Sequence, residues 1–225
     1  MKKISQHLKQ LGMGSLLLAS AWMIPAAAHA DRLGEIQERG SLICATLASN
    51  EPLGFPDPQS GQIVGFDVDM CSAIAAKLGV KMRQRSLTVE ARLPALIQGE
   101  VDLVSGALGY TRERARQIDF TASHYQTPIK LLVYSDSGLN LVSDLEGKRI
   151  SANRGSTPEQ AVRRVLRKAT LLTFPETPQT FLAMAQRQVD AMAVAMPSGI
   201  RFVNESGGRF RLSLIHISEP TRPLY

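Results

Sequence analysis

Two short stretches of this sequence carry residue types that suit the binding of an anion. Residues 111–116 read TRERAR, in which Thr111 is a typical helix N-cap and three arginines follow. Because a helix N-terminus favours negative charge, these arginines either point into solvent or face a bound anion. Residues 155–157 read GST ahead of a second predicted helix that begins at Pro158. Both helix starts offer N–H groups and hydroxyls, which predicts a site for an anionic ligand.

The sequence gives little support for other kinds of chemistry. Its four histidines are scattered, and no His and Cys spacing is typical of a metal site. We find no nucleophile–base pairing and no glycine-rich phosphate loop, so we predict no catalytic residue, no metal and no cofactor. Cys44 and Cys71 are the only cysteines, and the sequence is compatible with either a disulfide or two buried free thiols.

The first 30 residues are typical of a cleaved export signal. Lysines at 2, 3 and 9 precede an uncharged apolar stretch at 11–24, and residues 28–30 fit the small-x-small cleavage pattern. We expect a mature, periplasmic chain beginning at Asp31; an N-terminal membrane anchor is the alternative. Removing the three lysines takes the formal net charge from +6 to +3. No basic block remains, so we expect no nucleic-acid partner.

Short apolar strands alternate with amphipathic helices, the pattern of an α/β protein with mainly parallel sheets. A change of composition at SDSG, residues 135–138, divides this pattern into a first lobe at 31–134 and a second at 139–212, with 135–138 as the hinge. Ligands commonly bind in a cleft between such lobes. We expect strands at 42–47, 81–87, 101–105, 130–134, 149–152, 169–174, 191–195 and 210–212, and helices at 68–78, 92–98, 158–167 and 178–187, with one more after Thr111.

Several motifs resemble the family 3 solute-binding proteins, the extracytoplasmic amino-acid receptors of ABC importers. They are GFDVDM at 65–70, AIA at 73–75, LGV at 78–80, LPAL at 93–96, GST at 155–157 and VDA at 189–191, and the likeness spans about residues 40–211. The resemblance implies a periplasmic-binding-protein type II fold with a ligand cleft between two α/β lobes. It also implies an amino acid or related small carboxylate as ligand, an inner-membrane ABC permease as partner, and a monomer.

The resemblance also implies which residues bind the ligand. Arg114 matches the arginine that pairs with the ligand's α-carboxylate, and a guanidinium fork suits that role. Arg92 matches an arginine of members that bind acidic amino acids, although an arginine exposed to solvent is an alternative. The expected ligand-binding residues are Asn50, Glu51, Arg92, Ala107, Gly109, Thr111, Arg114, Ser156 and Thr157. Aromatic residues are missing around Asn50 and Val89, which suggests a small or polar ligand.

One departure from the family bears on the ligand's ammonium group. Ala195 stands where relatives that bind α-amino acids carry an aspartate, so either Glu51 substitutes for it or the ligand is not an ordinary α-amino acid. Asp67, Asp69 and Asp190 are interpreted as structural residues. An enzyme of the same fold, a cyclohexadienyl or arogenate dehydratase with Glu51 as general acid, is the alternative function. A sensory domain of a receptor kinase has no supporting segment.

The last residues depart from the α/β pattern. Residues 213–225 read SLIHISEPTRPLY, which looks like the translation of a sequencing adapter; a genuine divergent tail is the alternative. We therefore expect the chain to lack the return crossing to the first lobe that family members make. On that interpretation the second lobe is incomplete and has an unpaired sheet edge.

Overall fold

The chain folds into alternating strands and helices in a computed structural model, which describes residues 31–217. In chain order the elements are α1 (Arg32–Arg39), β1 (Ser41–Thr46), β2 (Phe55–Pro56), β3 (Ile63–Val64), α2 (Phe66–Lys77), β4 (Lys81–Ser86), α3 (Arg92–Ile97), β5 (Leu103–Val104), β6 (Ile129–Tyr134), β7 (Arg149–Asn153), α4 (Thr157–Val165), β8 (Thr170–Phe174), α5 (Thr177–Ala185), β9 (Ala191–Ala195), α6 (Met196–Glu205) and β10 (Phe210–His216). The expected export signal at 1–30 lies outside the described residues.

Most predicted elements are present, with ends displaced by a few residues. The helix expected after Thr111 is an exception, because only the 3-10 turn Arg114–Arg116 forms there. Several elements lie outside the predicted set, namely α1, α6, the small β2–β3 hairpin and the 3-10 turn Val142–Leu145. Among residues 31–217, no helix is both long and apolar enough to cross a bilayer.

The first lobe is built on a three-stranded parallel sheet with β1 at its centre. β1 pairs with β4 on one side and β5 on the other. Nearly every residue of β1 is buried, as is usual for a central parallel strand covered on both faces. Cys44 of β1 and Cys71 of α2 form a disulfide, which resolves the two alternatives that the sequence left open. This bond ties the central strand to the helix that covers it.

The second lobe contains a five-stranded mixed sheet in the order β10-β6-β9-β7-β8. β6 runs antiparallel to both of its neighbours, whereas β7, β8 and β9 are parallel. The lobe boundary expected at 135–138 is therefore wrong, because β6 belongs to the second sheet and the chain changes sheets before Ile129. A strand's apolar pattern identifies the strand but not its partners. Residues 135–138 are a turn that follows β6.

The start of the supposed tail is part of the second sheet. β10 extends to His216 and pairs with β6, and the buried side chains of Ser213, Ile215 and Ile217 alternate along it. Ile215 and Ile217 pack into the same core cluster as residues of β6, β7 and β9. The expectation that nothing after Leu212 continues the α/β pattern is therefore wrong for 213–217. Residues 218–225 lie outside the described part of the chain.

Candidate functional site

A cavity of about 310 Å³ lies where the two lobes meet. The first lobe contributes the loop after β1, the starts of α2 and α3, and the segment that follows β5. The second lobe contributes the ends of β7 and β9 and the starts of α4 and α5. These are the carboxyl ends of parallel strands and the helix N-termini beside them, where open α/β sheets usually bind ligands. The expected cleft is therefore present.

Arg92 lies at the start of α3 and lines this cavity. Its side chain is only 2% exposed and donates hydrogen bonds to the carbonyl oxygens of Gly106 and, at 3.5 Å, Gly155. Its Nε is a buried donor without a partner among the described residues. Burial, reinforced by the charge of Arg114 and opposed by that of Asp67, lowers the pKa of Arg92 to about 9. The solvent-exposed alternative for Arg92 is excluded.

Arg114 lies in the 3-10 turn and connects the two lobes. The hydroxyl of Thr111 accepts a hydrogen bond from the Arg114 backbone N–H at 3.2 Å, so the predicted cap forms although the helix does not. The buried guanidinium donates to the Gly109 carbonyl at 2.7 Å, the Gly155 carbonyl at 2.9 Å and the Thr157 hydroxyl at 3.2 Å. It lines an adjoining cavity of about 230 Å³, which shares Arg92 with the first one.

The two arginines on either side of Arg114 point into solvent, which is one of the two possibilities given by the sequence. Arg112 and Arg116 are both exposed, whereas Arg114 is buried between them. Three arginines spaced two residues apart cannot all face one side of a turn. The middle one faces the other lobe.

The start of α4 brings second-lobe hydroxyls to the cavity. Ser156 caps the helix by accepting a hydrogen bond from the Glu159 N–H at 3.1 Å, and both Ser156 and Thr157 line the cavity. The Gly155 N–H donates to the Glu159 carboxylate at 2.6 Å. The arrangement resembles a capping box, except that the carboxylate accepts the N–H of the residue before the cap. The hydroxyls are therefore the side-chain donors that α4 presents to the cavity.

Gly109 lies where the two lobes approach each other closely. A β-carbon placed on it would lie 2.6 Å from the Thr157 hydroxyl oxygen, a distance that side chains do not adopt. The absence of a side chain at position 109 thus leaves room for the hydroxyl of Thr157. Ala107 also lines the cavity and has a positive φ of 53°. Both expected residues of this segment therefore lie at the cavity.

The loop after β1 contributes one expected residue but not the other. Asn50 lines the cavity and accepts a hydrogen bond from the Ser198 hydroxyl at 3.0 Å. Glu51 is not among the lining residues, and its half-exposed carboxylate lies 3.8 Å from the Arg201 guanidinium. Glu51 is thus poorly placed to replace the aspartate that Ala195 lacks. Ala195, the last residue of β9, lines the cavity.

Sequence reasoning missed Asp67, which was interpreted as structural. Asp67 is 4% exposed and lines the cavity, with Oδ1 accepting a hydrogen bond from the Ser105 hydroxyl at 3.1 Å. Its Oδ2 is a buried acceptor without a partner among the described residues. Burial raises its pKa, and hydrogen bonds from Ser105 and the Ala107 N–H oppose that change. An acidic residue near a helix N-terminus is favourable by itself, so the sequence offered no reason to assign Asp67 to the ligand cavity.

Aromatic side chains line the cavity from segments other than those around Asn50 and Val89. They are absent near Asn50 and Val89, but rings from other segments line the same cavity: Phe66, Tyr110, Phe120 and Tyr125. Phe66 packs against Tyr125 with ring centroids 5.6 Å apart. The cavity therefore offers aromatic contacts to a ligand, although the segments around Asn50 and Val89 do not supply them. Residues 110–125 have little regular structure, so periodicity could not place their side chains.

Comparison with known proteins identifies relatives of this chain. Residues 42–207 match the bacterial extracellular solute-binding proteins, family 3. The glutamine-binding protein of Geobacillus stearothermophilus is 31% identical over 170 residues, which cover 74% of this chain and 65% of that protein. The chain thus spans slightly less than two thirds of this relative's length.

Two solved structures are similar in fold. An amino acid ABC transporter substrate-binding protein from Streptococcus pneumoniae, bound to L-arginine, has a TM-score of 0.78 and 26% identity, covering 84% of this chain and 80% of that one. The ancestral amino acid-binding protein AncCDT-1, a precursor of cyclohexadienyl dehydratase, has a TM-score of 0.75 and 29% identity, covering 83% and 82%. These similarities confirm the predicted type II fold.

Proposed function

Because this chain belongs to the bacterial extracellular solute-binding proteins of family 3, we propose that it binds an amino acid or a related small carboxylate in the cleft between its lobes. The observation that carries the proposal is the pair of buried guanidinium groups, Arg92 and Arg114, at the junction of the lobes. A buried cation is costly unless an anion pairs with it. Arg92 lines the main cavity, where Asp67 is the one acidic lining residue among those described, and Arg114 lines the adjoining cavity. A carboxylate on the ligand gives the buried Arg92 guanidinium a direct anionic partner.

Contacts between the lobes support binding by closure of the cleft. Arg114 of the first lobe bonds Gly155 and Thr157 of the second, and Ser198 bonds Asn50. A ligand carboxylate at this junction accepts donors from both lobes, and this stabilises the closed arrangement. Gly109 permits the close approach that such contacts need.

The wider role follows from the family. We infer that the chain is exported to the periplasm, acts as a monomer and delivers its ligand to an inner-membrane ABC permease. The relatives' names support this inference, since the streptococcal protein is an ABC transporter substrate-binding protein. Reconstituted permease provides the test, because the loaded chain should stimulate its ATPase activity and the unloaded chain should do so less. Equal stimulation would contradict the delivery role.

Thermal unfolding with a ligand panel tests the binding function. The panel holds the twenty L-amino acids and small mono- and dicarboxylates. A ligand at 100 times its Kd stabilises the folded chain by about 2.7 kcal/mol. For a domain of this size, that raises Tm by roughly 5–10 °C. Arg114→Gln should abolish the rise, whereas Arg116→Gln, an exposed arginine of the same turn, should keep it. No rise with any panel member, or equal rises in both variants, would refute the proposal.

A cleft enzyme is the second candidate, and one observation favours it. Asp67 lines the cavity, and burial raises its pKa, which suits a general acid. Similarity to the precursor of a cyclohexadienyl dehydratase adds support. We infer that the chain is a binding protein rather than this enzyme. Incubation with prephenate and with arogenate, followed by detection of phenylpyruvate and phenylalanine, should show no turnover above the uncatalysed rate.

A further inference from the structure

We propose that Asp67 is the counter-charge for an amino group on the ligand, so that the cleft recognises an amino acid through its first lobe. This inference rests on the proposed binding function and names the residue that replaces the missing charge at Ala195. It assigns a binding role to a carboxylate at the start of α2, on the side of the cleft that also carries Arg92.

The hydrogen bonding of Asp67 is only half complete. Oδ1 accepts the Ser105 hydroxyl and the Ala107 N–H also interacts with the carboxylate, but Oδ2 is buried and has no hydrogen-bond partner within residues 31–217. An ionised carboxylate can accept several hydrogen bonds, and leaving a buried acceptor unpaired is unfavourable. A purely structural role would be expected to use both oxygens. The unused oxygen belongs to a residue that lines the ligand cavity.

No other carboxylate competes for this role. Ala195 offers no charge, and Glu51 is not among the lining residues and pairs with Arg201. Asp69, two residues further along α2, is exposed and does not line the cavity. Among the described residues, Asp67 is therefore the one acidic side chain that lines the cavity.

The other groups around Asp67 suit a zwitterion. Arg92 lines the same cavity, so a guanidinium and a carboxylate are available to opposite ends of one small molecule. Phe66 and Tyr125 also line it, and aromatic rings are favourable neighbours for an ammonium group. A ligand with both a carboxylate and an amino group would give Arg92 and Asp67 each a partner of opposite charge.

Matched ligand pairs and two variants test the proposal by titration calorimetry. Each pair differs only in the amino group: L-glutamate with glutarate, L-glutamine with glutaramate, and L-arginine with 5-guanidinopentanoate. Asp67→Asn keeps an oxygen for Ser105 but removes the charge. This variant should bind the amino acid at least about 30-fold more weakly than wild type does. Its affinity for the ligand without the amino group should fall by less than about threefold. Asp69→Asn removes an exposed charge from the same helix and should change neither.

The outcomes separate this inference from the binding function. If the wild type binds only the members without an amino group, the Asp67 proposal is overturned while carboxylate binding stands. If Asp67→Asn weakens both members of a pair equally, the residue has a structural role and the proposal is again overturned. If the wild type binds no member of the twenty-amino-acid panel or of these pairs, the binding function fails too.

A measurement on the wild type covers the case in which Asp67→Asn does not fold. The carboxyl carbon of Asp67 can be followed by ¹³C NMR during titration with each pair. Its resonance should move with the amino acid and stay in place with the partner that lacks the amino group. Equal movement with both would refute the pairing.

Discussion

Replacing Arg92 with methionine should make the folded chain more stable while removing ligand binding. Methionine is unbranched, flexible and apolar, so it can fill the space of the arginine stem without a charge. Arg92 is buried and its pKa falls to about 9, roughly three to four pH units below its ordinary value. That difference corresponds to about 5 kcal/mol of unfavourable burial at neutral pH.

Lost hydrogen bonds offset part of this gain. Arg92 donates to the carbonyl oxygens of Gly106 and Gly155, and each bond contributes about 1–1.5 kcal/mol. The free energy of unfolding should therefore rise by about 2 kcal/mol, which raises Tm by roughly 4–8 °C. Urea unfolding at pH 7 without ligand measures the change directly. Arg116→Met, at an exposed position, should stay within about 0.5 kcal/mol of wild type.

The pH dependence supplies a second check on the Arg92 argument. Between pH 9 and the ordinary range of arginine, the unfolded chain holds a proton that the folded chain has released. The free energy of unfolding of the wild type therefore rises with pH in that window. Below the window, the full cost of burying the charged Arg92 side chain remains. The advantage of Arg92→Met should be constant from pH 6 to 8 and shrink above about pH 9. A variant that is less stable than wild type by more than about 1 kcal/mol at pH 7 would refute the reasoning.

Three further changes test other parts of the structure. Replacing Cys44 and Cys71 with alanine should cost about 3–4 kcal/mol in chemical unfolding, because the bond constrains a 27-residue separation in the unfolded chain; no loss would mean that the bond does not form. Ile215→Ala should cost about 2–4 kcal/mol if 213–217 are part of the core, and nothing if they are not. Gly109→Thr should weaken ligand binding at least tenfold by pushing Thr157 away, and an unchanged affinity would mean that the lobes do not approach so closely at this point.

Local patterns were sufficient to predict most elements of the fold. The apolar run Ala191–Ala195 forms β9 with the predicted bounds, and Thr111 caps its turn as its residue type suggests. Pairing was harder to predict, since β6 reads as the last strand of one lobe but lies within the sheet of the other. The buried alternation of Ser213, Ile215 and Ile217 was hidden by a likeness to non-protein sequence.

The site was predictable where a motif fixed the backbone and less so where burial decided the role. Gly109 and Ser156 lie at the cavity because the motifs around them place a loop and a helix start there. Asp67 and Glu51 are both carboxylates near the cleft, but packing buries the first and leaves the second half-exposed beside Arg201. No local pattern distinguishes these outcomes, because they depend on which segments meet in space.

The antiparallel path of β10 along β6 brings two distant parts of the chain together. The Ile217 N–H donates to the Ile129 carbonyl at 3.3 Å, so the two ends of the segment 129–217 lie side by side. The segment encloses a five-stranded sheet with two hydrophobic clusters of its own. Neighbouring termini and a separate hydrophobic core are typical of domains that tolerate insertion into another chain. The second lobe can therefore be treated as a cassette, to be exchanged between relatives at Ile129 and Ile217 while the first lobe is kept.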